Sequence, residues 1–179
     1  MRLFIAIDLP EEAKENIEKL KQELKGIKGV KPVDRANIHL TLKFLGEVSD
    51  GKADEIAKAL NQVKFKPFKT FISKTGVFPS EDRIQVLWVD AMPAEPLFEL
   101  KKQIDEALLM FKDDHAFKNH ITFARIKYIA NESDKKKILD ILKIPVAKTE
   151  FKVNKFRLYK SDLTPKGPVY DVVKEFASD

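Results

Sequence analysis

Alternating and helical runs of apolar residues divide the chain into strands and helices. The opening stretch "RLFIAIDL" alternates and is largely apolar, which predicts a mostly buried strand. Pro10 follows where a helix can begin, with Glu11 and Glu12 in its first turn and apolar residues at helical spacing up to Gly26. Further strands are predicted at "IHLTLKFLG", "FKTFIS", "RIQVLWVDA", "NHITFARI", "EFKVNKFRLYKS" and "VYDVVKEFA". Further helices are predicted from about Ser49, over Glu95 to Phe111 and over Ser133 to Leu142, and turn-rich connections at "TGVFPS" and "LTPKGP".

These elements predict an α+β fold in which strands outnumber helices. Several strands follow one another through short connections, so we expect mainly antiparallel sheets. Two similar strands, one in each half of the chain, indicate two related lobes. No long linker or low-complexity segment separates the halves, and residues 1–179 are therefore predicted to form one domain.

The two similar strands share a His, apolar, Thr, apolar pattern. Residues 36–44 read "ANIHLTLKF" and residues 117–125 read "FKNHITFAR". Because alternate residues of a strand share a face, His39, Thr41 and Lys43 are predicted on one face, with apolar side chains on the other. His120 and Thr122 share a face in the same way. Across a groove, the strands would present two imidazoles and two hydroxyls to one ligand.

Arg125 does not fit the face of His120 in a regular strand. It lies five residues after His120, and strict alternation would turn its guanidinium away from the imidazole. The strand must therefore twist, bulge or end near Ala124 if Arg125 is to enter the groove.

The paired motifs suit acid–base chemistry at phosphorus. Near neutral pH, one imidazole can be neutral and accept a proton while its neighbour is protonated and donates one. The hydroxyls of Thr41 and Thr122, with Arg125 or Lys43, are predicted to bind the non-bridging phosphate oxygens. All of these are protein groups, so we expect no metal and no cofactor. The residues alone do not decide which histidine is the acid.

Other interpretations of the histidines stay open at this point. A strand His followed by Thr is often structural, and either short motif alone is a weak signal. Zinc is another alternative, although two His with no cysteine and no third clustered ligand make a poor zinc site. His115 lies in the charged segment "FKDDHAF" at a helix end and is predicted to be solvated or to interact with the helix dipole.

Composition narrows the class of protein only modestly. The 179 residues can bury a core without a disulfide, and the chain has no cysteine. Its formal net charge of +5 permits an anionic partner without requiring one, and a thermophilic source would also explain the many lysines. The first apolar run is too short for a signal peptide, and no stretch nears the roughly 20 apolar residues of a membrane span. We therefore expect a soluble, cytoplasmic protein with no membrane partner.

The motifs and their flanks resemble a known family. "HLTL" and "HITF" are similar to the defining pair of the 2H phosphoesterase superfamily. The segments "RLFIAIDLPEE", "HLTLKFLGEV", "GVFPS", "NHITFAR" and "LYKSDLTPKGPVY" follow in the order typical of RNA 2′,3′-cyclic phosphodiesterases, also called 2′-5′ RNA ligases. The resemblance covers essentially the whole chain. It implies two pseudo-symmetric, interleaved lobes of mainly antiparallel sheet, with outer helices, around a central cleft.

The resemblance also implies an activity, which is metal-independent hydrolysis of an RNA 2′,3′-cyclic phosphate end to a 2′-phosphate. It implies that His120 is the proton acceptor that activates water and His39 the proton donor to the leaving 3′ oxygen. Thr41, Thr122 and Arg125 would hold the phosphate. If an RNA 5′ hydroxyl replaced water, the product would be an ATP-independent 2′-5′ linkage. Water is far more concentrated than an RNA end, so we expect mainly hydrolysis, by a monomer, with tRNA fragments as one candidate substrate.

Two other functions remain open. The same fold could act on the cyclic phosphate of a nucleotide or of an ADP-ribose derivative. Alternatively, the protein could be a non-catalytic RNA-binding module whose histidines only contact phosphate and whose Phe78, Trp88 and Tyr159 stack on bases. We interpret these three aromatics instead as core or strand-pairing residues, because large aromatic side chains are usually buried.

Overall fold

The computed structural model describes residues 1–111, 116–165 and 167–179, which form strands, α-helices and two short 3₁₀ helices. The strands are β1 (Arg2–Asp8), β2 (Val30–Pro32), β3 (His39–Glu47), β4 (Phe68–Pro79), β5 (Ile84–Met92), β6 (His120–Ile126), β7 (Thr149–Val153), β8 (Lys155–Thr164) and β9 (Gly167–Ala177). The α-helices are α1 (Glu11–Gln22), α2 (Asp50–Leu60), α3 (Glu95–Ala107) and α4 (Glu132–Asp140), and the 3₁₀ helices are Arg35–Asn37 and Ile141–Lys143. His115, one of the three histidines, lies outside the described residues.

The strands form two sheets, which confirms the predicted α+β class. One sheet has the order β3-β1-β8-β9 and the other the order β2-β6-β5-β4-β7. The strand pairs recorded in the described part of the chain are antiparallel, as the short connections predicted.

The two sheets repeat one arrangement. In the four-stranded sheet, β3 with the first histidine pairs with β1, then β8 and β9 follow. In the five-stranded sheet, β6 with the second histidine pairs with β5, then β4 and β7 follow, and β2 is added beside β6. The first sheet takes β8 and β9 from the end of the chain, while β4 from the first half lies in the second sheet. The two lobes therefore share the chain rather than dividing it at one point.

One predicted connection is wrong. β4 runs without interruption from Phe68 to Pro79, through the segment "TGVFPS" that was predicted to be turn-rich. A register shift against β5 between Ile72 and Thr75 lets the strand bend instead of ending. At Gly76, a Cβ atom would lie 2.1 Å from Cζ2 of Trp88, so only glycine leaves room for the indole ring.

The helices lie close to their predicted positions. α1 follows Pro10 and carries two glutamates in its first turn, while α3 ends at Ala107 rather than at Phe111. α4 starts after Asn131, whose side-chain oxygen accepts a hydrogen bond from the backbone N–H of Asp134 at 2.8 Å. None of the helices in the described ranges is long and apolar enough to cross a membrane.

A continuous apolar core underlies both motif strands. Leu40 and Leu42 of β3, and Ile121 and Phe123 of β6, are buried in the same cluster. The apolar face of each helix packs into this cluster, with Ile17 of α1 among the fully buried side chains. The apolar sides of the motif strands are thus anchored as predicted, which leaves the histidines on the opposite faces.

Candidate active site

The two motif strands line one cavity of about 590 Å³. His39 and Thr41 enter it from β3 in the four-stranded sheet. His120, Thr122 and Arg125 enter it from β6 in the five-stranded sheet. The cavity therefore gathers all of the site residues predicted from the sequence except Lys43.

A β-bulge explains how Arg125 reaches the cleft. The pairing of β6 with β5 shifts by one residue, because Thr122 is opposite Trp88 while Ala124 is opposite Leu87. Phe123 is the extra residue, and it and Ala124 are both buried. The alternation is thereby reversed, and Arg125 faces the cavity with His120. This is the kind of irregularity near Ala124 that Arg125 was predicted to need in order to enter the groove.

A matching bulge in β3 makes the prediction for Lys43 wrong. Thr41 is opposite Ala6 and Lys43 is opposite Ile5, which leaves Leu42 as the extra residue. Lys43 is consequently buried behind the strand, where its Nζ lies 2.7 Å from Oδ1 of Asp105 in α3. Phe44 faces the cavity in its place. Phe44 holds the position in its motif that Arg125 holds in the other, and aligning "HLTLKF" with "HITFAR" would have revealed this.

Each imidazole is fixed by the backbone carbonyl two residues before it. Nδ1 of His39 lies 2.7 Å from the carbonyl oxygen of Asn37, and Nδ1 of His120 lies 2.7 Å from that of Lys118. A carbonyl oxygen only accepts, so Nδ1 donates in both rings and carries the proton of the neutral form. Nε2 is then the atom available for proton transfer. The sequence gives no signal for these two hydrogen bonds, because every residue has a backbone carbonyl.

The two hydroxyls differ in their partners. The Thr41 hydroxyl lies 2.9 Å from Nε2 of His39, whose neutral ring accepts a hydrogen bond from it. Within the described residues, the Thr122 hydroxyl has no hydrogen-bond partner. Thr122 is therefore available to a ligand, whereas Thr41 is coupled to the protonation of His39.

Aromatic side chains surround both imidazoles. The ring of His39 has its centroid 5.0 Å from that of Phe4 and 5.4 Å, edge to face, from that of Tyr170. The ring of His120 is 4.9 Å from that of Phe78, also edge to face. Phe78 pairs with Val86 of β5, which agrees with a strand-pairing role, but it lines the cavity and does not lie in the core. It reaches the site because β4 continues past Gly76.

The other two aromatics lie behind the cavity wall. Tyr159 is buried and stacks on Phe4, with ring centroids 5.2 Å apart. Trp88 is half-buried, covers Gly76 and contacts Phe78, with ring centroids 5.1 Å apart. These positions confirm a packing role for Tyr159 and Trp88.

Desolvation lowers the pKa of both histidines. Burial lowers the pKa of His39 to about 4, and the hydrogen bond to Asn37 opposes this only in part. Burial also lowers the pKa of His120, and the nearby charge of Arg125 acts in the same direction. Both imidazoles are consequently neutral near pH 7 when the cleft holds no anion.

Arg125 supplies the positive charge beside the histidines. Its side chain is exposed to the cavity and, in the described part of the chain, forms no ion pair or hydrogen bond. Among the same residues, no three His, Cys, Asp or Glu side chains are grouped as ligands of a metal ion. The site offers proton-transfer groups, hydroxyls and a guanidinium, which together suit a phosphate ester.

Comparison with known proteins places this geometry in a family. The model of the LigT-like phosphoesterases matches the chain twice, over residues 7–88 and 89–170, so that each match contains one histidine motif. An RNA 2′,3′-cyclic phosphodiesterase of Methanocaldococcus jannaschii is 41% identical over 98% of this chain and 100% of its own length.

Solved structures agree with the sequence comparison. A crystal structure of a protein from Thermus thermophilus has a TM-score of 0.82 at 30% identity, covering 99% of this chain and 97% of that one. Escherichia coli LigT complexed with 3′-AMP has a TM-score of 0.80 at 26% identity, covering 99% and 97% respectively. The resemblance seen in the two motifs is thereby confirmed, and the chain belongs to the LigT-like phosphoesterase family.

Proposed function

We propose that this protein hydrolyses the 2′,3′-cyclic phosphate at the end of an RNA to a 2′-phosphate, without a metal ion. The observation that carries the proposal is the pair of histidines, one on each bulged strand, whose Nε2 atoms are left available on one cavity. The names of relatives such as the Methanocaldococcus jannaschii phosphodiesterase support the same substrate class.

His120 is proposed as the base. Its Nδ1 donates to the Lys118 carbonyl, so the neutral ring has its lone pair on Nε2. The lowered pKa of His120 keeps the ring neutral near pH 7, which a base requires. Nε2 takes a proton from water as the water oxygen forms its bond to phosphorus.

His39 is proposed as the acid, and it must be protonated before it can act. The pKa of His39 is about 4 in the empty cleft, but an anionic phosphate next to the ring favours the imidazolium and raises this pKa. As the bond between phosphorus and the 3′ oxygen breaks, Nε2 gives its proton to that oxygen. The products are a 2′-phosphate and a 3′ hydroxyl, and the two histidines have exchanged protonation states.

Thr41, Thr122 and Arg125 are proposed to bind the non-bridging oxygens. Thr122 and Arg125 are free to do so within the described residues, and the Thr41 hydroxyl turns towards the phosphate once His39 Nε2 is protonated. The charge that develops on the phosphate oxygens during attack thus meets two hydroxyls and one guanidinium.

Ligation follows from the same arrangement when an RNA 5′ hydroxyl takes the place of water. The strained cyclic phosphate supplies the free energy, so ATP is not needed. Ligation competes only where binding gives the second RNA end a high effective concentration. We therefore assign hydrolysis as the principal activity. We also propose that the protein acts as a cytoplasmic monomer, in which residues 1–179 form one domain of two interleaved lobes.

Turnover of an RNA with a 2′,3′-cyclic phosphate end, in excess EDTA, tests the proposal. Wild type is expected to give mainly the 2′-phosphate, and His39→Ala and His120→Ala to lose about 10²- to 10⁴-fold in rate while still binding RNA. His115→Ala, which changes the third histidine, is the matched control and keeps its activity. A 3′-phosphate product, or activity that appears only with added metal, would contradict the proposal. RNA binding without turnover in wild type would favour the non-catalytic binding module.

A further inference from the structure

We infer that Lys31 binds the phosphodiester that precedes the terminal nucleotide, so that the cleft selects the end of an oligonucleotide over a single cyclic nucleotide. This selection rests on the proposed function, since it concerns the same cleft and the same substrate class. Three observations on Lys31 and its neighbours support it, together with the shape of the substrate.

The first observation is that Lys31 and Arg125 form a cross-strand pair of like charges. They are partners in the pairing of β2 with β6, and both line the cavity. Directly opposite side chains in an antiparallel pair have Cβ atoms about 5 Å apart, and two like charges there destabilise the pair. A bound anion would remove this repulsion.

The second observation is that no carboxylate of the described residues forms an ion pair with Lys31 or Arg125. In the ranges the structure describes, neither Lys31 nor Arg125 forms an ion pair. Lys21, the third cation at the cavity, is already paired with Glu18 at 2.5 Å. Asp34 is the acidic residue among the described lining side chains, and its Oδ1 accepts from the backbone N–H of Ala36 at 3.0 Å. This side of the cleft thus keeps an excess of positive charge.

The third observation places the Lys31 ammonium at the mouth of the cleft. Lys31 is exposed, whereas His39 and His120 are half-buried. Its Nζ lies 3.9 Å from the position that a Cβ atom on Gly167 would take, at the start of β9 in the other sheet. The side chain therefore reaches from one sheet towards the other across the opening.

The shape of the substrate explains why Lys31 would meet a phosphate. If the terminal cyclic phosphate of an RNA contacts the histidines, the rest of the RNA leaves through the mouth, and we expect its preceding phosphodiester to pass Lys31. A cyclic mononucleotide places no phosphate there. The ammonium can therefore distinguish the two substrates without touching the reacting atoms.

Two substrates that differ by one nucleotide provide the test. We would measure kcat/KM for a dinucleotide with a 2′,3′-cyclic phosphate end and for a 2′,3′-cyclic mononucleotide. Lys31→Gln is expected to lower the value for the dinucleotide roughly tenfold and to leave that for the mononucleotide unchanged. Lys31→Arg keeps the charge and retains the preference. A dinucleotide with an uncharged methylphosphonate linkage should not respond to Lys31→Gln.

Lys152→Gln is the matched control. Lys152 is an exposed lysine on β7, at the opposite edge of the same sheet, and does not line the cavity. Its substitution should leave both values unchanged. The decrease of kcat/KM with rising salt for the dinucleotide should become weaker in Lys31→Gln and remain the same in Lys152→Gln.

The outcomes separate this inference from the proposed function. An equal loss on both substrates in Lys31→Gln, or no loss on either, overturns the inference while leaving hydrolysis established. If wild type turns over neither substrate, the proposed function fails. The dissociation constant of the 2′-phosphorylated dinucleotide then decides the role of Lys31, because it rises in Lys31→Gln if Lys31 binds the phosphodiester and is unchanged if it does not.

Discussion

The chemical differences between the two histidines arise from their immediate neighbours. Both Nδ1 atoms donate to a carbonyl two residues earlier, but among the described residues only His39 also has a threonine hydroxyl on Nε2. His39 lies against Phe4 and Tyr170, while His120 lies against Phe78 and near the charge of Arg125. Without substrate both rings are neutral at pH 7, so His39 must take up from solvent the proton that it donates, as a bound phosphate raises its pKa.

This arrangement predicts an acidic optimum for kcat/KM. The free enzyme is active when one imidazole is protonated and the other neutral, and this fraction is greatest between the two pKa values. The pKa of His39 is about 4 and that of His120 lies below its usual 6.5, so kcat/KM should be greatest below pH 6.5 and fall as the pH rises above the higher pKa. The dependence of kcat/KM on pH is measured from turnover of a cyclic-phosphate dinucleotide between pH 4 and pH 9.

The profile of kcat supplies the internal control. It reports the enzyme–substrate complex, in which the phosphate raises the pKa of His39, so the optimum of kcat should lie at higher pH than that of kcat/KM. Each phosphodiester of the substrate keeps a single negative charge across this range, so the phosphates do not titrate. A kcat/KM that keeps rising above pH 7.5 would show that the empty cleft does not hold both imidazoles neutral.

At the scale of single elements, the two bulges determine which side chains face the cleft. Strand alternation correctly predicted that His39 shares a face with Thr41, and His120 with Thr122, because these pairs precede the bulges. Alternation failed at Lys43, one residue beyond the extra residue Leu42. Arg125 can enter the groove only if β6 is irregular, so the sequence indicated a bulge there. β3 gave no such signal, because strict alternation places Lys43 on the face of His39.

The bulges predict that replacing either of two cations by methionine has very different effects on kcat/KM. Arg125→Met should lower kcat/KM about 10²-fold or more, because the guanidinium faces the cavity and would stabilise the transition state. Lys43→Met should keep kcat/KM within about threefold of wild type, because Lys43 contacts Asp105 behind the strand. Asp105 retains Lys101 as a partner in that variant. The two variants are compared by measuring kcat/KM on one RNA substrate. Thermal unfolding confirms that each variant folds.

A loss of rate in Lys43→Met as large as that in Arg125→Met would contradict the bulged geometry of β3. It would mean that the ammonium reaches the phosphate, as strict alternation predicted. Arg125→Lys tests whether the shape of the donor matters as well as its charge, because lysine keeps the charge but loses the planar, two-pronged donor geometry.

At the scale of the whole molecule, the sequence predicted the class of fold but not how the chain is shared between the lobes. Apolar alternation and short connections were enough to predict antiparallel sheets. The placement of β8 and β9 beside β1, and of β4 beside β5 and β7, depends on long-range pairing that no local pattern encodes. The continuation of β4 through Gly76 was likewise hidden, because it depends on the contact with Trp88.

The shared chain and the continuous core predict a single cooperative unfolding transition. Each sheet contains strands from both halves of the sequence, and one apolar cluster includes residues of both sheets. Neither lobe can then unfold while leaving the other intact. The calorimetric and van't Hoff enthalpies should be equal, and different probes should report coincident transitions.

The sole tryptophan allows each lobe to be followed separately. Trp88 lies in β5, so its fluorescence reports the five-stranded sheet. A variant that combines Trp88→Phe with Tyr159→Trp moves the reporter to β8 in the four-stranded sheet. Each reporter should unfold at the same denaturant concentration as the circular dichroism signal of its own protein. A reporter that changes before the circular dichroism signal would show that its lobe unfolds independently, and residues 1–179 would then form two domains.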